Sequence, residues 1–197
     1  MLTTKPHNER ENTDSSLRAD NDRAPRWYAL AVKARHDKSV ARTLGNKGYE
    51  ALAPTYRMRH VYGSRSKETE LPLFPGYVFC LLDVSRRLPV LTTPGVIQFI
   101  GAGRMPLPID ETEISSLRQA ILAGATLQPY PFLQAGRRVR IEEGSLTGVR
   151  GVVVSLKQGP RVVISISLLQ RSVLLEIDCG RLSLEEDLRL SAARQVA

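Results

Sequence analysis

Hydrophobic positions first gather at Trp27-Tyr28-Ala29-Leu30-Ala31-Val32, an unbroken apolar run between Arg26 and Lys33. So short and continuous a run predicts a strand buried on both faces. From His36 to Lys47, Val40, Ala41 and Leu44 recur at helical spacing, with Gly45 and Gly48 near the end, which predicts a helix. Tyr49 to Pro54 predicts a second strand. Arg57 to Tyr62 alternates basic with apolar or aromatic residues, and Gly63-Ser64-Arg65-Ser66 follows as a hairpin turn. Gly76 to Leu82 and Val96 to Ile100 predict two more strands. Asp110 opens a second helix, with Glu113 at the spacing of a capping box. Ile114, Leu117, Ile121 and Leu122 make its apolar stripe. Strand, helix, strands, helix is the order of an α+β sandwich on an antiparallel sheet.

Beyond this helix the texture changes. Pro129 and Pro131 interrupt a stretch without periodicity, so residues 124–134 are expected to link two domains. Short strands then recur between turn signals: Arg138 to Glu142, Gly151 to Leu156, Arg161 to Ser167, Val173 to Ile177 and Leu182 to Leu184. Five such strands predict a small all-β barrel. The expected organisation is a polar, disordered tail over 1–25, a first domain over 26–123, a second over 135–187 and a frayed tail over 188–197.

Charge adds a candidate chemistry. The net charge of +8 by itself is met equally well by a polyanionic partner and by simple solubility. Its distribution favours the partner. Nine Lys or Arg face only two acids between Lys33 and Lys67, while the rest of the chain is close to neutral. Cys80 and Cys179 stand far apart and outside any zinc spacing, so no metal or cofactor is expected, and this usage fits a reducing cytoplasm. No run of about 20 apolar residues is present, so no membrane helix is expected. A nucleophile elbow, a Walker A loop and a Gly-x-Gly-x-x-Gly turn are all missing from the sequence. The expected class is a binding protein, not an enzyme, and a monomer.

Two sets of motifs sharpen this. Gly136-x-x-Val139-Arg140-Ile141-x-x-Gly144-x-Leu146-x-Gly148-x-x-Gly151 resembles the KOW motif. Gly144 stands where the chain turns, with an expected positive φ, and Gly151 where backbones approach closely. In the first domain, Leu73-Phe74-Pro75-Gly76-Tyr77-Val78-Phe79 precedes Thr93-Pro94-Gly95-Val96-x-x-Phe99-Ile100-Gly101, with Trp27-Tyr28 and Ala53-Pro54-Thr55 before them. In order and spacing these pieces resemble the N-terminal domain of the NusG superfamily, and the resemblance runs from about Arg26 to Asp187.

The resemblance implies a transcription elongation or antitermination factor that docks on the clamp of RNA polymerase. The positions matching the docking surface are Tyr28, Ala31, Phe79 and Phe99, with Phe74, Pro75 and Tyr77 beside them. Strand alternation sets Tyr77 and Phe79 on one face and Val78 on the other, and Trp27 reads as core. Lys33, Arg35 and His36 match positions that face the non-template strand or upstream DNA, and Arg57, Arg59, Arg65 and Lys67 would extend their field. In the second domain Leu168, Leu169 and Arg171 match the partner-binding loop. Housekeeping members carry Phe-Gly-Arg at Leu169-Gln170-Arg171 and reach Rho or the ribosome there. The departure at Leu169 and Gln170 resembles instead the specialised UpxY-type paralogues, which serve particular operons. The alternatives are a housekeeping factor and a ribosome-associated RNA-binding protein, the latter disfavoured by a charge of only about +1 over residues 124–187.

Overall fold

A computed structural model describes residues 24–62, 65–130, 137–156, 159–176 and 182–184. The expectations for the chain before residue 24, for Gly63 and Ser64, for residues 131–134 and Gly136, for Cys179 and for the tail after residue 187 lie outside the described residues.

The first domain runs β1 (Arg26–Val32), α1 (Asp37–Asn46), β2 (Glu50–Leu52), β3 (Thr55–Tyr62), β4 (Arg65–Pro72), β5 (Tyr77–Leu82), α2 (Leu88–Leu91), β6 (Val96–Phe99), β7 (Gly101–Ala102), β8 (Met105–Pro106) and α3 (Glu111–Leu122). Four strands form an antiparallel sheet in the order β2-β5-β1-β6. β3 and β4 pair separately as a hairpin, and so do β7 and β8. The sheet needs cover on both sides because β1 and β5 are apolar on both. Leu30, Val32, Val78, Cys80 and Leu82 pack under Val40 and Leu44 of α1 and Val90 of α2. On the other face Trp27, Ala29 and Phe79 pack with Ile114, Leu117 and Ala120 of α3. Trp27 is core, as its place in the apolar run predicts.

The second domain follows as β9 (Leu127–Tyr130), β10 (Arg137–Ile141), β11 (Arg150–Leu156), β12 (Gly159–Ile166), β13 (Arg171–Glu176) and β14 (Leu182–Leu184), in the order β14-β10-β11-β12-β13-β9. All five strands read from the sequence are present. Gly144 takes φ +83°, and a Cβ on Gly151 would lie 2.5 Å from Val162 and from the Val163 carbonyl, so both KOW glycines are required by geometry.

Arg65 and Ser66, read as turn, begin β4, and Gly101-Ala102, also read as turn, is β7. Two further departures concern how the domains meet. Part of the expected linker is strand β9, which pairs with β13 from Leu127↔Leu175 to Tyr130↔Ser172. Pro129 is tolerated there because β9 is the edge of the sheet. The second departure is that one apolar cluster runs through both domains, joining Phe79, Ile114 and Leu117 to Val139, Ile141, Val162, Ile164, Ile166, Leu169 and Leu175. The stripe on α3 shifts accordingly. Ala120 is buried, Ile121 is half-buried and Leu122 is 83% exposed, because the second domain covers the side of the helix that carries Ser116 and Ala120.

Candidate partner-binding surfaces

The basic loop after β1 is held from three sides. Val32 N–H donates to the Gly76 carbonyl at 2.9 Å, and Lys33 N–H to the Gly95 carbonyl at 2.8 Å. The buried Asp37 accepts from Gly76 N–H at 2.7 Å, tying the start of α1 to the Phe74-Pro75-Gly76 turn. Between these anchors Lys33, Ala34, Arg35 and His36 are all exposed. Arg35 sits at φ +63°, left-handed backbone that costs an L-residue about 1–2 kcal/mol. His36 Nδ1 lies 2.9 Å from the Ala34 carbonyl, which can only accept, so Nδ1 carries a proton and holds the ring against the loop. The ring backs onto Gly95, where a Cβ would come within 3.1 Å of it. Lys33, Arg35 and His36 therefore share one fixed, exposed loop, as the sequence reading grouped them.

The hairpin differs from its expected role. Its register sets Arg57 opposite Glu70 and Arg59 opposite Glu68. Glu70 also accepts from Lys38 at 2.5 Å and from Thr55. The Lys38 ammonium, followed by the Thr55 hydroxyl, holds the Glu70 carboxyl below its ordinary range. The acids that offset Arg57 and Arg59 begin one residue past Lys67, so a count ending there overstates the field. The side chain of Arg65 lies outside the described residues.

The expected polymerase-docking residues are divided between the two faces of the sheet. Tyr28 is buried on the α1 side and meets Phe99 edge-on, with ring centroids 5.9 Å apart. Ala31 and Tyr77 are register partners and half-buried. Phe74 and Phe79 are buried on the α3 side, edge-on at 5.2 Å. Pro75 is exposed. Alternation along β1 and β5 makes one continuous patch of these residues impossible, since neighbours in sequence point to opposite faces.

The expected partner loop of the second domain is turned the same way. Leu169 is buried in the shared cluster, Leu168 packs against it, and the Arg171 guanidinium lies 5.7 Å from the centre of the Tyr77 ring. Gln170 takes φ +53°, the conformation that a glycine would adopt without strain. Thus Arg171 lies over Tyr77, and Tyr77, Phe79 and Leu169 belong to one apolar cluster that spans both domains.

A polar row on α3 completes this contact and was not anticipated from the sequence. Glu113 accepts from Ser167 N–H at 3.0 Å and from the Ser167 hydroxyl at 2.5 Å. The Ser116 hydroxyl accepts from Arg150 N–H at 3.0 Å. The Gln119 amide donates to the Thr147 carbonyl. Three side chains spaced three apart lie along one helix face and satisfy backbone groups at the rim of the second domain. The spacing 113/116/119 was visible; its partners were not.

Among the described residues, no group of three or more His, Cys, Asp or Glu could hold a metal ion. Burial pushes the Cys80 thiol up to about 12, far from a reactive thiolate. No helix among the described residues is long and apolar enough to cross a membrane.

Comparison with known proteins agrees with the α+β domain and its motifs. The family model described as transcription termination factor nusG matches residues 25–118. Over its first domain the chain is similar to that family. The transcription termination/antitermination protein NusG of Helicobacter pylori (strain ATCC 700392 / 26695) is 27% identical over 164 residues, covering 77% of this chain and 93% of that protein. The protein of the same name from Campylobacter jejuni subsp. jejuni gives the same identity and coverage. The solved NusG of Thermotoga maritima is 18% identical and covers 82% of this chain and 98% of that one, with a TM-score of 0.46. A NusG-like α+β domain followed by an all-β domain is the architecture of this chain.

Proposed function

We propose that the protein is a transcription elongation and antitermination factor that binds RNA polymerase, with no catalytic step of its own. The observation that carries this reading is the anchored basic loop Lys33–His36 within a NusG-like domain, whose relatives are named for termination and antitermination. Clustered Lys and Arg without a neighbouring free acid suit phosphate contact, here with the non-template strand or upstream duplex. The docking face for the polymerase clamp is the one carrying Ala31, Phe74, Pro75, Tyr77 and Phe79. The second domain covers part of that face, so binding there follows separation of the two domains. A partner selects the open form only as far as it binds that form better than the closed one.

The finer reading is a specialised paralogue acting on particular operons. Leu169 replaces the aromatic residue of housekeeping members and is buried in the shared cluster. Gln170 holds a left-handed position where those members have glycine. Rho and the ribosome are therefore not the favoured partners of this loop, and a cytoplasmic setting follows from the polymerase reading.

The test is a reconstituted transcription assay with the matching RNA polymerase, comparing wild type with Lys33→Ala/Arg35→Ala. Wild type should shorten pauses or raise read-through, and the double variant should lose most of that effect while remaining folded. A wild-type protein that leaves pausing and termination unchanged on every template, the leader of its own operon included, would rule the reading out.

A further inference from the structure

Glu113 has two possible sets of partners, and the structure uses only one. Asp110 caps α3 by accepting from Thr112 N–H at 2.8 Å and from Glu113 N–H at 3.2 Å. In a capping box the residue at Glu113 would return the bond to the backbone N–H of Asp110. Here both carboxylate oxygens turn instead to Ser167, at the end of β12 in the other domain. Half of the box is made and the other half is diverted across the domain contact.

The other bonds in the row lack this alternative. Ser116 and Gln119 lie further along α3, beyond its N-terminal turn. A carboxylate next to the free N–H groups of a helix start is favoured both by those donors and by the helix dipole. Moving Glu113 from Ser167 to Asp110 exchanges one well-bonded state for another, so its charge is not left without donors when the domains part. The Ser167 side also tolerates separation, because this residue is exposed and water can reach it.

We propose that Glu113 is a two-position latch: bonded to Ser167 it holds the domains together, and bonded to the Asp110 amide it caps α3 when they separate. The exchange lowers the cost of opening without loosening α3, which must stay folded because Ile114, Leu117 and Ala120 cover the sheet.

Full-length protein tests this in the absence of polymerase, so the result does not depend on the functional reading above. NMR relaxation reports whether the two domains tumble as one body, and solvent exchange of the Asp110 amide proton reports the capping box. In wild type the domains should reorient together. Ser167→Asp, which sets a second carboxylate against Glu113, should make them reorient independently and slow Asp110 exchange about fivefold. Ser167→Ala should shift both readouts the same way by less. Glu113→Ala should free the domains while Asp110 exchange stays fast. The latch is overturned if Ser167→Asp leaves the domains tumbling as one, if it frees them without slowing Asp110, or if wild type already tumbles as two bodies. Should an open Ser167→Asp protein show the exchange and yet fail to bind polymerase, the latch stands and the polymerase reading falls.

Discussion

On one side of the four-stranded sheet, Leu30, Val78 and Cys80 pack under α1, a helix that follows directly from β1. On the other, Trp27, Ala29 and Phe79 lie under α3 in a cluster that continues to Leu169 and Val173 of the second domain. The first face is closed by short-range packing within a single domain. The second is closed in part by a domain that reaches it across a separate set of strands. Equally apolar surfaces can thus have different roles: one is fixed core, the other is a face that a partner can compete for.

Cutting a large side chain from each face separates the two most sharply. Phe79→Ala should lower stability by about 3–5 kcal/mol in denaturant unfolding and also loosen the second domain in NMR relaxation. Leu30→Ala should cost a similar or smaller amount, about 2–5 kcal/mol, with the two domains still tumbling together. If Leu30→Ala frees the second domain as readily as Phe79→Ala, the faces are not distinct.

A smaller effect, of opposite sign, is expected at the strained loops. Arg35→Gly and Gln170→Gly each remove a side chain from left-handed backbone and should stabilise by roughly 0.5–1 kcal/mol, after the extra freedom glycine gains when unfolded. Arg35→Gly should raise Tm while weakening binding to DNA, since the loop keeps its path and loses its guanidinium. Gln170→Gly should raise Tm without changing DNA binding. A fall in Tm for both would mean that these conformations carry no strain.

The smallest expected change is with pH, on the α1 side. The Lys38 ammonium and Thr55 hydroxyl hold the folded-state pKa of Glu70 below its unfolded value. Its contribution is therefore present above the unfolded carboxylate range and fades as pH falls through the lowered folded value. Titration of the Glu70 carboxyl by NMR should give a midpoint that rises in Lys38→Met. The pair is exposed, so the domain contact should not respond to this titration. An unchanged midpoint in Lys38→Met would remove the ion pair as the cause.

Much of the fold was legible because it follows from local pattern. The apolar run at Trp27, the spacing of Val40 and Leu44, and the cap at Asp110 each depend on residues a few positions apart. So do the KOW glycines: Gly144 needs its backbone conformation whatever lies far away. The basic loop was legible for the same reason, as Lys33, Arg35 and His36 are neighbours in sequence and stay so in space. The hairpin charge was misjudged because Glu68 and Glu70 act through cross-strand register, which places them beside Arg59 and Arg57.

By itself the sequence determined most of the strands in the two main sheets, the two long helices, the order of the two domains and the loop that carries exposed positive charge, since each rests on periodicity, turn chemistry or adjacency. Only the tertiary structure decided that Pro129 lies in a strand, that Glu113 turns to Ser167, that Arg171 meets Tyr77, and that Phe79 and Leu169 share one apolar cluster. Those contacts join residues about 45–95 positions apart, and a hydrophobic pattern states that a face must be covered without stating which part of the chain will cover it.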